Sequence, residues 1–220
     1  MLAEELIVDH IPPLKPTDTG ETALNWMDDY KVRHLTVVDN TKYLGTISES
    51  DVLGLSDPSD EVGRHREMLS PIFVMQNQHI FEVVKVVNDH KLSIIPVLDE
   101  NEEYLGAITI AQLMKIIADM PVANNPGGII VLELNNNDYS LPHIASIIEE
   151  NNTKILGTFV TSHPDSTKMH LTIKVTSVDI ASIIASLQRH EYSITFSNDS
   201  GRAGADLRDR FDSFMNYMNI

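Results

Sequence analysis

The sequence predicts an α+β protein built in two parts: a duplicated helix–strand–turn–strand unit, then a βαββαβ domain followed by a terminal amphipathic helix. Three observations carry this. Residues 20–55 are written again at 80–116, with VRHLTVVDNTKYLGTISESD from Val32 to Asp51 and LSIIPVLDENEEYLGAITIAQ from Leu92 to Gln112. Val38–Asp39 matches Leu98–Asp99 at an offset of 60, and Leu44–Gly45 matches Leu105–Gly106 at 61, so the second turn is one residue longer. The stretch 120–128, MPVANNPGG, is rich in proline, asparagine and glycine, which is linker chemistry. A chain of 220 residues exceeds the commonest single-domain size, so two domains are expected.

The elements follow from apolar spacing. Residues 1–10 form a short amphipathic opening before the rigid Pro12–Pro13 step. Ala23, Leu24, Met27 and Tyr30 recur at helical spacing, so 20–31 is a helix. Strands follow at 34–38 and 43–48, joined by a polar turn at Thr41–Lys42, and a helix starting near Asp51 stops around Gly54. Residues 56–70 read as a polar connection with a weak helix inside. Residues 72–75 open the second copy, with its helix at 80–88, strands at 93–98 and 105–109, and a closing helix at 111–119. A unit this small buries little surface alone, so the copies are expected to fold against each other and share a cleft.

Beyond the linker (121–128) the order is strand 129–134, helix 140–151, strands 154–162 and 169–175, helix 178–190 and strand 193–197. That is the ferredoxin-like plan. A flexible joint at 200–204 precedes Leu207, Phe211, Phe214, Met215 and Met218, which share one helical face. The boundaries read are 1–120 for the duplicated part (about 5–56 and 68–120), 129–198 for the second domain and 205–220 for the last helix.

Composition narrows the function. The formal charge is −16, with −12 in residues 1–125 and −4 in 126–220, a field that repels nucleic acid. A mononucleotide is not excluded, because screening over roughly 10 Å lets a local basic cluster govern a small site. The sequence lacks a bilayer-spanning apolar run, and acids stand where a secretion signal would carry Lys or Arg, so no membrane association and a cytoplasmic location are expected. With no cysteine, thiolate catalysis and cysteine-ligated zinc are absent. The histidines form no HExxH pair, and the sequence offers no P-loop, dinucleotide loop or hydrolase nucleophile context. Neither catalysis nor a required cofactor or metal is expected.

Both copies resemble CBS motifs, which pair as a Bateman module and often bind adenosyl compounds; the likeness covers roughly residues 5–120. It rests on Gly45, Ile47, Ser48 and Asp51 in the first copy, and on Gly106, Ile108, Thr109 and Gln112 in the second, where the acid is missing. The resemblance implies that Asp51 accepts hydrogen bonds from a ribose and that Ser48, His34 and Arg33 face a phosphate. Thr109 is the matching position in the second copy, and Ile11, Pro12, Ile72 and Phe73 would flank a purine. Bland alternatives stand beside each role. Ser48–Asp51 approximates a capping box and Thr109–Gln112 fits one fully; Arg33 could pair with Asp28 or Asp29; the apolar four could be core; Arg64, His65 and Arg66 could reach a polyphosphate or pair with Asp60, Glu61 and Glu67. Trp26 is read as packing.

The 129–198 domain resembles ACT domains, but Tyr139 stands at the position where many of them have a glycine beside the amino acid, so amino-acid binding is not carried over. The order of domains resembles the bacterial acetoin-utilisation accessory proteins. The expectation is a regulatory, non-enzymatic homodimer that senses AMP, ADP, ATP or S-adenosylmethionine and acts on a protein partner. Its rival is an assembly scaffold with degenerate sites.

Overall fold

The computed structural model describes residues 1–162 and 167–198, so the expected helix at 205–220 lies outside the described residues. The chain divides into two compact units, Met1–Ile117 and Ala118–Ile220.

In the first unit α1 (Gly20–Tyr30) starts where Thr19 Oγ1 accepts from the amide of Thr22 at 3.2 Å. It ends at Lys31, which turns left-handed (φ 56°) and lets Val32 N reach back to Met27 O at 3.0 Å. β1 (His34–Asp39) and β2 (Lys42–Ser48) form a hairpin that runs into α2 (Glu49–Leu53). The second copy repeats each step: β3 (Val74–Met75), α3 (Ile80–Asp89), β4 (Ile94–Leu98), β5 (Tyr104–Thr109) and α4 (Ile110–Asp119). Lys91 is again left-handed (φ 52°), and Leu92 N returns to Val87 O at 3.0 Å. Even the bulges correspond, at Val37/Val38 and at Val97/Leu98. The connection 56–70 contains two single turns of 3₁₀ helix, Val62–Arg64 and Arg66–Met68.

The copies are joined by exchange. Val8, which precedes α1 of the first copy, bridges Ala107 of β5, and its amide donates to Ala107 O at 2.9 Å. Ser70, which precedes α3 of the second copy, pairs with Thr46 of β2 through reciprocal bonds of 2.8 and 2.9 Å. Each hairpin is thus edged by the segment leading into the other. Gly45 and Gly106 explain how. A Cβ on Gly45 would lie 2.6 Å from Leu69 Cβ, and one on Gly106 would lie 2.3 Å from Ile7 Cγ2, with φ at 149° and 156°. The glycines let the crossing chains lie down on the hairpins. One core then serves both copies, with Leu35, Val37 and Ile47 packed in the same cluster as Ile94 and Ala107.

The second unit opens with α5 (Pro121–Asn124), one turn inside the expected linker, where Pro121 occupies the helix start that proline favours. Then come β6 (Ile129–Asn135), α6 (Leu141–Glu150), β7 (Ile155–Ser162), β8 (Lys168–Val175), α7 (Ala181–Arg189) and β9 (Ser193–Asn198). The antiparallel sheet has the order β7-β8-β6-β9, the ferredoxin-like plan of ACT-type domains. Ile144, Ile147, Ile148, Ile183 and Leu187 bury against Ile130, Leu132, Leu171 and Ile173. α7 begins three residues later than apolar spacing alone predicts. Asp179 Oδ1 takes the amide of Ala181 at 3.0 Å, and Ser177 Oγ donates to Asp179 O at 2.6 Å, which fixes 177–180 as a non-helical lead-in.

Candidate functional site

The β1–β2 hairpin sets His34 directly opposite Ser48, and α2 begins at once, so Asp51 sits one turn beyond. Ser48 Oγ accepts from Asp51 N at 3.1 Å, while Asp51 Oδ2 accepts from Ser48 N at 3.2 Å and from Ser48 Oγ at 2.5 Å. This is the complete reciprocal box. In the second copy Gln112 N donates to Thr109 Oγ1 at 3.0 Å, and no return bond from the Gln112 side chain is made among the described residues. The sequence comparison therefore ranked the two boxes in the wrong order. A short carboxylate reaches its own cap backbone here, and the longer amide does not.

Arg33, His34, Ser48 and Asp51 thus share one end of the hairpin, and the other copy reaches the same place. Ser93 Oγ accepts the amide of Arg33 at 2.8 Å and lies 3.1 Å from His34 Nδ1, while Ser93 N donates to that Nδ1 at 3.2 Å. An acceptor Nδ1 leaves the proton of a neutral ring on Nε2. Burial holds the His34 imidazole below its usual value, against the opposing pull of Asp51. Arg33 is exposed, and Asp28 pairs with Lys31 at 3.0 Å instead. One of the two alternative partners for Arg33 is thereby taken, and its guanidinium makes no ion pair with either Asp28 or Asp29 among the described residues. Thr109 is buried at the matching end of β5, opposite Ile94.

The apolar candidates do not form one group. Ile11 is buried in the shared core with Val52 and Ile94. Pro12 lines a separate cleft beside Trp26, Lys15 and Asp39, and Trp26 packs edge-on to Tyr30 with ring centres 6.4 Å apart. Ile72 and Phe73 gather on Tyr43, at the far end of β2 from Ser48. The Tyr43 hydroxyl donates to Ile72 O at 2.9 Å or Ser70 O at 3.0 Å, and its ring meets Phe73 edge-on at 5.9 Å. Burial raises Tyr43 and its counterpart Tyr104 to about 12 each. Sequence reasoning passed over this pair, although the repeated Tyr-Leu-Gly triplet (Tyr43–Gly45, Tyr104–Gly106) signals it. Arg64 lies 3.2 Å from Glu61, and His65 lies 3.4 Å from Asp60 and 3.6 Å from Glu67, while Arg66 makes no ion pair among the described residues.

In the second unit Tyr139 is half-buried against the core, in extended backbone with φ of −72°. A polar cleft of about 400 Å³ opens nearby, bordered by Glu133, Asp138, His143, Lys168, His190 and Tyr192. Lys168 Nζ and Glu133 already pair there at 2.6 Å. No group of three or more His, Asp or Glu side chains among the described residues is placed to hold a metal ion.

The CBS domain family profile matches residues 3–57 and 65–119. The inosine-5'-monophosphate dehydrogenase of Methanocaldococcus jannaschii is 25% identical over 116 residues, which are 51% of this chain and 23% of that enzyme. An uncharacterized protein of the same archaeon is 26% identical over 132 residues, 54% of this chain and 44% of that protein. The chain spans less than half the length of either curated relative. A CBS domain pair/ACT domain protein from Thermotoga maritima superposes with a TM-score of 0.48 at 20% identity, over 54% of this chain and 98% of that one.

Proposed function

The chain belongs to the CBS domain family, and we propose that its paired repeats are a non-enzymatic regulatory module that binds an adenine nucleotide or related adenosyl compound in the first copy. The observation that carries this reading is the convergence of Arg33, His34, Ser48 and Asp51 on one end of the β1–β2 hairpin. Ribose hydroxyls would donate to Asp51, and the phosphate would meet Arg33 and the Nε2–H of His34. No hydrogen bond from the described residues reaches Asp51 Oδ1, so one carboxylate oxygen is available while the other serves the cap. Binding that favours one arrangement of the copies would then shift the population seen by a protein partner. Thermal denaturation with AMP, ADP, ATP and S-adenosylmethionine tests this: a ligand at 100 times its dissociation constant stabilises the fold by about 2.7 kcal/mol.

A second reading, a ligand-free homodimeric scaffold, is favoured by one observation. Phe81, Ile110 and Met114 are exposed, and Ile110 and Met114 border an apolar groove of about 400 Å³ with Val84, Val87, Leu113 and Ile117. A face of this kind is covered when two modules associate. Silence to all four ligands with a dimeric mass in light scattering selects the scaffold; a stabilising ligand rejects it. No helix among the described residues is long and apolar enough to cross a membrane.

A further inference from the structure

The β7-β8-β6-β9 sheet buries one face under α6 and α7 and, among the described residues, leaves much of the other open. On the open face the register aligns Phe159 with Thr172, Thr172 with Val131, and Val131 with Phe196, one residue from each strand. Both outer members are large and exposed, Phe159 at 47% and Phe196 at 52%. On one side of this row stands α5, since a Cβ on Gly157 would lie 3.0 Å from Val122 Cγ2. On the other side are Glu133 and His170, one register step further along the same face. The apolar strip is therefore about 13 Å wide, four residues along a strand, with a helix on one bank and charge on the other.

We propose that residues 205–220 of the same chain dock across this row. A strip of that width takes one helix of 10–12 Å diameter. A second copy's sheet would need a flat face, which α5 obstructs. The row spans three strand spacings, roughly 14 Å, and the stripe from Leu207 to Met218 covers about 17 Å as a helix. Its apolar residues match the two exposed phenylalanines in kind. β9 ends at Asn198 on the edge of this same face, and the six residues 199–204, two of them glycine, reach up to roughly 20 Å.

The absence of cysteine makes the test direct. In the full chain, Thr172→Cys is paired either with Phe214→Cys on the apolar stripe or with Asp209→Cys off it, and each pair is oxidised. The expected result is a disulfide within a monomeric species for Phe214 and little for Asp209. A Phe214 disulfide found only between chains overturns docking on the same chain, and equal or absent cross-linking overturns docking altogether. A second arm uses Phe196→Glu, an exposed site whose circular dichroism should match wild type. Trypsin cleavage after Arg208 and Arg210 should rise at least about tenfold as the segment is released. An unchanged cleavage rate overturns the proposal even if the cysteine pairs misfold.

Discussion

His34 Nδ1 accepts the backbone N–H of Ser93 at 3.2 Å, so a histidine of the first copy's proposed site is held by the second copy. The ring belongs to the seam between the copies as much as to the proposed site. Two consequences can be measured.

The first concerns pH. Burial lowers the His34 pKa in the folded state, so between that value and about 6.5 the unfolded chain binds more protons. This group's contribution is therefore fully present above about pH 6.5 and is lost as pH falls through the folded pKa. Denaturant titrations from pH 8 to 5 should show a loss on the acid side that is reduced in His34→Asn. An identical pH profile in that variant removes His34 from the seam.

The second concerns the asymmetry of the copies. Asp51→Asn keeps an acceptor for the Ser48 cap but removes the charge, so it should cost well under 1 kcal/mol of stability. On the proposed reading it still weakens adenosine-ligand binding by roughly 1.5–3 kcal/mol, the worth of a hydrogen bond to a charged group. Gln112→Ala should leave binding unchanged. Calorimetry on both variants decides the matter, and equal losses would reject the assignment to the first copy. Asp51→Ala is the weaker test, because it also opens the cap.

The two hairpin glycines should be among the least replaceable positions of the first unit. A methyl on Gly106 collides with Ile7 Cγ2, and one on Gly45 collides with Leu69 Cβ, both in backbone that side chains rarely adopt. Alanine at either site should cost about 1–3 kcal/mol, read from the urea midpoint. Ile7→Ala should recover part of the Gly106→Ala loss and none of the Gly45→Ala loss. Uniform recovery would mean that the crossing chains are not what the glycines accommodate.

Free amino acids should not bind around residues 136–140. Tyr139 is committed to the core, and Lys168, which borders the neighbouring cleft, is paired with Glu133. Burial of the ring also means that Tyr139→Ala should destabilise the second unit by about 3 kcal/mol or less, since the side chain is only half-buried. Saturable chemical-shift changes at 136–140 with any amino acid would overturn the first statement.

Much of this was legible in the sequence for identifiable reasons. The repeat announced two hairpins because Leu44–Gly45 and the helix-starting Ser48 recur in phase as Leu105–Gly106 and Thr109, and alternation against helical spacing announced the βαββαβ order. The strand exchange was not legible, because Val8 and Ser70 each contribute a single bridge, too short to carry any period. α5 was hidden by its own helix-starting proline, which in a run with asparagine and glycine reads as a break. In the proposed site, Asp51 and Ser48 were read from their likeness to the CBS motif, Gly45 through Asp51. Ser93 was missed because its role depends on a neighbour 59 residues away, His34, and nothing local marks it. Ile72 and Phe73 were read with Ile11 and Pro12 by position in the repeat, whereas Tyr43 holds them at the other end of β2.

The traded edges at Val8 and Ser70 put the frame of the repetition out of step with the frame of the architecture. What was copied is the run 20–55, written again at 80–116; what stands alone is the pair, laced together like the fingers of two hands. A fragment that respects the repeat would carry a hairpin without its border strand and a border strand without its hairpin. Melting should then proceed in a single transition across residues 1–117, with neither half surviving as an intermediate. Descent by duplication would likewise add or delete such copies in even numbers, because an odd one leaves a raw margin ready to seize whatever strand comes near.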